Sequence, residues 1–152
     1  MLNIGDVAPD FELLNAEGNN EKLSDYRGQQ VVLFFYPKAG TSGCTTQACG
    51  FRDNYPKFEA VKATVIGVSP DAPAALAKWK TKENLPYTLL SDPEHEVAER
   101  YGVWGEKKMY GKSYMGIIRS HFVINPQGII EDVQFKVSPQ NSISRALNSI
   151  AE

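Results

Sequence analysis

Short apolar runs alternate with amphipathic stretches along most of the chain. Residues 31–36 read VVLFFY, β-branched and aromatic without polar alternation, which predicts a central strand covered on both faces. Pro37 ends it, and Thr41 or Ser42 can cap a helix running from about residue 43 to 53. Pro56 should break or kink that helix before a second helical piece at 57–62. The run TVIGV at 64–68 predicts the next buried strand. Asp71 as N-cap and Pro73 in the first turn then open a helix with Ala72, Ala75, Leu76 and Trp79 on one face. A third strand is predicted at 87–90, and Asp92-Pro93 opens a helix ending near Gly102. Two antiparallel strands follow at 117–124 and 129–137, joined by the turn sequence Asn125-Pro126-Gln127-Gly128. Ser138-Pro139 caps a last helix whose Ile143, Ala146, Leu147 and Ile150 share a face. Residues 11–14 and those around Lys22 flank the turn-rich NAEGNN and predict an N-terminal hairpin. The sum is a mixed α/β sheet with helices on both sides.

Length fits one domain spanning 1–152, with no internal repeat and no linker-like stretch. Sixteen Lys and Arg against eighteen Asp and Glu give a net charge of −2, which argues against nucleic acid or anionic lipid as a partner. The apolar run at 31–36 falls far short of the ~20 residues of a membrane span. Asp6 and Asp10 stand where a secretory signal would carry positive charge, so the chain is expected to stay in the cytoplasm.

Only two cysteines are present, Cys44 and Cys49, too few for a disulfide framework. Cys44 falls in the first turn of the helix starting near Gly43, where unpaired amides and the helix dipole stabilise a thiolate. Position alone leaves two readings open, a reactive nucleophile and a small buried hydrophobe. Five residues along an α-helix separate Cα atoms by about 8 to 9 Å, more than the ~7 Å that a disulfide spans. If the two thiols react with each other, the helix must locally unwind. Gly50 costs the helix about 1 kcal/mol relative to alanine. The spacing is not that of a C-x-x-C redox motif, and His95 and His121 lack zinc-finger spacing, so no metal is expected.

The element order fits an α/β thioredoxin-like fold, and the segment Pro37-Lys38-Ala39-Gly40-Thr41-Ser42-Gly43-Cys44 resembles the P-x3-T-x2-C motif of peroxiredoxins. With Cys49 following, it is most similar to the Q-type, or bacterioferritin comigratory protein, subfamily. FRD at 51–53, YGVWGEKKMYGKSYMGIIRS at 101–120 and the early GDVAPDFEL extend the resemblance over nearly the whole chain. It implies a cofactor-free thiol peroxidase acting on hydrogen peroxide and organic hydroperoxides. Cys44 would become a sulfenic acid, Cys49 would resolve it as an intramolecular disulfide, and thioredoxin or a similar dithiol would reduce that bond. It further implies a monomer.

Thr41 can both accept from and donate to peroxide and thiolate, and its alternative role is the helix cap. Pro37 would shield the thiolate, or simply end the strand, and Gly43 supports the loop. Arg119, read as lying inside an apolar strand, needs an anion such as the Cys44 thiolate; the resemblance makes it the catalytic arginine. Arg52 reads as an ordinary helix ion pair. Four positions depart from the subfamily pattern: Ser42 for proline, Gln47 for glutamate, Gly50 for aspartate and His121 for threonine. Ser42 and Gly50 should loosen the reactive segment. His121, two residues from Arg119 on the same expected strand, would share its face and tune the pH profile. Residues 105–114, mixing Lys107, Lys108 and Lys112 with tyrosines, read as a solvated loop near the substrate or reductant surface. The rival functions are a redox sensor and an oxidation-activated holdase built on the same disulfide switch.

Overall fold

The computed structural model describes residues 2–150; Met1, Ala151 and Glu152, the ends of the expected domain, lie outside the described residues. In chain order the elements are β1 (Glu12–Asn15), β2 (Asn20–Lys22), β3 (Gln30–Phe35), α1 (Ser42–Asp53), α2 (Tyr55–Ala60), β4 (Ala63–Ser69) and α3 (Pro73–Glu83). They continue with β5 (Thr88–Ser91), α4 (Glu96–Arg100), β6 (Trp104–Met109), β7 (Lys112–Ile117), β8 (Ser120–Ile124), β9 (Ile130–Gln134) and α5 (Pro139–Ile150).

Seven strands form one mixed sheet in the order β2-β1-β5-β4-β3-β8-β9. The central strand β3 runs parallel to β4 and antiparallel to β8. Side chains alternate across a strand, so Val32, Phe34 and Tyr36 enter one core layer while Val31, Leu33 and Phe35 enter the other. The first layer is closed by α1, α2, α3 and α5 through Phe51, Phe58, Trp79, Ala146 and Ile150. The second is closed by α4 and the N-terminal segment through Val97, Phe11 and Leu23. This is the α/β thioredoxin-like arrangement that the element order implied, and the expected N-terminal hairpin β1–β2 is present, joined to the sheet through β5.

Several local expectations change. The break between α1 and α2 falls at Asn54, and Pro56 sits in the first turn of α2, where its missing N–H leaves no hydrogen bond unmade. Ala72, not Asp71, occupies the N-cap of α3. The helix expected from Asp92 begins only at Glu96, because His95 adopts a left-handed backbone; Asp92 still caps it, accepting from the amides of Val97 and Ala98 at 3.3 and 2.9 Å. Residues 105–114 are not a loop but most of the β6–β7 hairpin, turned by Tyr110 and Gly111, both at positive φ. The strand expected over 117–124 is interrupted at Ile118 and Arg119, where the chain passes from that hairpin into the main sheet.

Candidate active site

The loop after β3 is held from below. Tyr36 stays in the sheet through its amide, which donates to Val68 O at 3.1 Å. Pro37 then turns the chain out, half-buried. The amide of Ala39 donates to Asp71 Oδ2 at 2.7 Å, and Ser69 Oγ donates to the same oxygen at 2.8 Å. Ser91 Oγ donates to Asp71 O at 2.6 Å. Asp71, expected as a helix cap, therefore ties the ends of β4 and β5 to the loop that precedes Cys44. Thr41 holds the N-cap position of α1 but caps no amide with its side chain. Its hydroxyl donates to Lys38 O at 2.8 Å, which leaves its oxygen lone pairs able to accept from an incoming hydroxyl or hydroperoxide.

Cys44 is the third residue of α1 and has no exposed surface. Arg119 reaches it from the gap between β7 and β8, its Nη2 donating to Cys44 Sγ at 3.4 Å and its Nη1 to Gln47 Oε1 at 2.7 Å. Arg119 is thus not inside a strand, and the interruption is what frees its side chain from the alternation of the sheet. Gly43 makes room for it, since a Cβ there would lie 3.1 Å from Nη2. A cleft of about 530 Å³ opens beside Arg119, lined also by Lys107, Lys108, Ile118 and Lys136. The β6–β7 hairpin thereby supplies one wall of it. Burial first, and the charge of Arg119 second, pull the Lys107 ammonium below its ordinary value.

Cys49 lies on the same intact helix, and both cysteines are free thiols. Its Sγ donates to Glu83 Oε1 at 3.5 Å. Burial pushes the Cys49 thiol above its ordinary value, Arg52 pulls it back, and the hydrogen bond to Glu83 raises it again. Arg52 donates to Glu83 O at 2.7 Å and pairs with Asp53 at 2.9 Å, a clasp between α1 and the end of α3 as expected of a packing arginine. Gly50 is not simply a loose point: a Cβ there would overlap Ile143 Cδ1, so its bareness lets α5 seat against α1. His121 is fully buried and lies on the same side of the sheet as the Arg119 side chain, although Arg119 itself stands outside the strand; Gln47 and Ser142 stand between the two side chains. Among the described residues, no His, Cys, Asp or Glu cluster is placed to hold a metal ion, and no helix is long and apolar enough to cross a membrane.

Residues 4–133 match the model of the AhpC/TSA family. The chain is 46% identical over 151 residues to peroxiredoxin Bcp of Bacillus subtilis, covering 99% of this chain and 96% of that protein. The chain belongs to the AhpC/TSA family of peroxiredoxins. Among solved structures, peroxiredoxin Q of Xylella fastidiosa superposes with a TM-score of 0.93 at 32% identity, covering 99% of this chain and 96% of that one. The bacterioferritin comigratory protein of Xanthomonas campestris, described with alkyl peroxide reduction activity, superposes with a TM-score of 0.89 at 29% identity, covering 99% and 96%. This peroxiredoxin is accordingly a peroxidase, an oxidoreductase.

Sequence reasoning about the peroxiredoxin missed Asp71 as loop anchor, and it missed Ser142, which touches Gln47 and His121. A signal for Ser142 was present: it stands four and eight residues before Ala146 and Ile150, on the buried stripe of the last helix. Glu83, at the C-terminal end of α3, carried no such signal, because its partner Cys49 lies 34 residues away.

Proposed function

We propose that Cys44 is the peroxidatic nucleophile and Cys49 the resolving thiol of a hydroperoxide reductase recycled by thioredoxin or a similar dithiol. The observation that carries this reading is the Arg119 guanidinium donating to the sulfur of a fully buried cysteine at a helix N-terminus. The Cys44 thiolate attacks the terminal peroxide oxygen, the O–O bond breaks, and the departing alkoxide or hydroxide takes up a proton as alcohol or water. Arg119 offers fixed N–H donors to the charge that moves from sulfur to the leaving oxygen, and the Thr41 oxygen accepts from the hydroperoxide. Cys44 is left as a sulfenic acid. Cys49 then attacks that sulfur, forming S–S and releasing water, and an external dithiol returns two electrons.

The Cys44–Cys49 bond requires α1 to open, since an intact helix keeps five-apart Cα atoms beyond disulfide reach. Hydrogen peroxide and small organic hydroperoxides are the proposed substrates. Reduction by thioredoxin fits a reducing cytoplasm, and the single domain is proposed to complete the cycle as a monomer. The test is peroxide-dependent oxidation of reduced thioredoxin by the wild type, Cys44→Ser and Cys49→Ser. Turnover by the wild type with none by Cys44→Ser is expected, and full turnover by Cys44→Ser would overturn the reading.

A further inference from the structure

Gln47, Gly50 and His121, three of the four departures from the subfamily pattern, all meet α5. Ile143 seats on Gly50, and Ser142, one residue earlier, lies between Gln47 and His121. Gln47 Nε2 donates to Ser142 Oγ at 3.0 Å while its Oε1 accepts from Arg119 Nη1 at 2.7 Å. Ser142 Oγ is 2.8 Å from His121 Nδ1, and His121 Nε2 is 3.8 Å from Asp132 Oδ2 on β9. Gln47, Ser142 and His121 are each fully buried, so solvent cannot stand in for a lost partner.

The donors then run one way. With His121 Nδ1 unprotonated, Ser142 accepts from Gln47 Nε2 and gives its single proton to that nitrogen. In that arrangement the ring proton sits on Nε2, a buried nitrogen with no hydrogen-bond partner among the described residues that lies on the side of the Asp132 carboxylate. If Gln47 turned its amide over, its NH2 would face the N–H of Arg119 and its oxygen would face a hydroxyl with its proton already committed. A carboxylate at position 47 would need no such orienting, because both of its oxygens accept. Among the described residues Arg119 forms no ion pair, so Gln47 Oε1 and Cys44 Sγ are the acceptors that hold it at the reacting thiol.

We propose that Asp132, His121 and Ser142 orient the Gln47 amide, and through it hold Arg119 on Cys44, so that Ser142 and His121 are positioning residues of the peroxidase reaction. The proposal rests on Cys44 as the peroxidatic thiol. It also ties the chain to the redox cycle: Gln47 is on α1 and Ser142 on α5, so unwinding of α1 breaks the link and rewinding restores it.

The experiment is the rate constant for hydrogen peroxide with the reduced protein, alongside thermal unfolding of each variant. Ser142→Ala should react about tenfold more slowly, the scale of a small misplacement of a catalytic group. In a Gln47→Glu background the same substitution should change the rate by less than about twofold. His121→Leu should also be about tenfold slower, and His121→Asn, which returns an acceptor to the Nδ1 position, should recover most of the loss. The His121 pair decides the matter if Ser142→Ala does not fold. Rates for Ser142→Ala and His121→Leu within about twofold of wild type would overturn the proposal. So would an equal loss for Ser142→Ala with either residue at position 47, which is the mark of a purely structural role. A wild type that does not react with peroxide, or reacts equally well as Cys44→Ser, would instead refute the peroxidatic reading of Cys44.

Discussion

Two nitrogens of Arg119 have different acceptors, Cys44 Sγ and Gln47 Oε1, and a lysine has no fork with which to reach both. Arg119→Lys should therefore lose about 10²-fold in the rate with hydrogen peroxide, as removal of a transition-state donor does elsewhere, with little change in melting temperature; stopped-flow kinetics and calorimetry check both halves. Cys49 is the opposite case, a thiol kept protonated by burial and by its hydrogen bond to Glu83. Its raised value makes it a poor nucleophile at neutral pH while α1 is intact. Alkylation of Cys49 in a Cys44→Ser protein should accordingly be slow, and Glu83→Gln should make it faster and move its pH midpoint down. The two cysteines and Thr41 stood out in the sequence because a motif of fixed spacing carries them, and Arg119 because the separate segment at 101–120 resembles the family. Gln47 was visible only as a departure. Ser142 showed only as a position on the buried stripe of α5, since a serine on a helix gives no sign of its partner until α5 is packed against α1.

At the scale of elements, the opening of α1 is opposed by contacts spread along its length. Tyr87 Oη donates to Ala48 O at 2.7 Å, Arg52 grips Glu83 O, and Ile143 fills the space over Gly50. Gly50→Ala adds a methyl group where there is no room and should cost about 1–3 kcal/mol, read by urea unfolding. Tyr87→Phe removes one hydrogen bond, worth about 1 kcal/mol, from the helical state of α1; disulfide formation should quicken while the initial peroxide step is unchanged. Strands β3 and β4 were legible because they are mostly apolar and covered on both faces. The β6–β7 hairpin was not, because most of β7 is exposed and its residues show no apolar alternation. Its consequence is functional as well as topological: where the chain leaves this ribbon for the main sheet, it releases Arg119 from strand geometry.

Across the whole molecule, α5 joins the outermost strand to the reactive helix. Ser149 Oγ donates to Asp132 Oδ2 at 3.0 Å, and Ser142 meets Gln47. His121, as the first cause, with Ser149 and Gln134 assisting, holds the Asp132 carboxyl at about 2, below its ordinary value. A carboxyl lowered on folding stabilises the fold above its unfolded value of about 4, and that contribution fades as the pH falls towards about 2. Asp132→Asn should thus remove at most about 2 kcal/mol at neutral pH and flatten the loss of stability between about pH 4 and 2, measured by urea unfolding across that range. The central claim, a peroxide-driven cycle between two thiols on one helix, is tested most directly by intact mass and free-thiol count. One equivalent of hydrogen peroxide is added to the wild type and to Cys49→Ser, and thioredoxin is added afterwards. The account predicts loss of both thiols in the wild type with a mass decrease of about two protons, a trapped sulfenic acid on Cys44 in Cys49→Ser, and recovery of both wild-type thiols with thioredoxin. Unchanged mass and two surviving thiols in the wild type would contradict it.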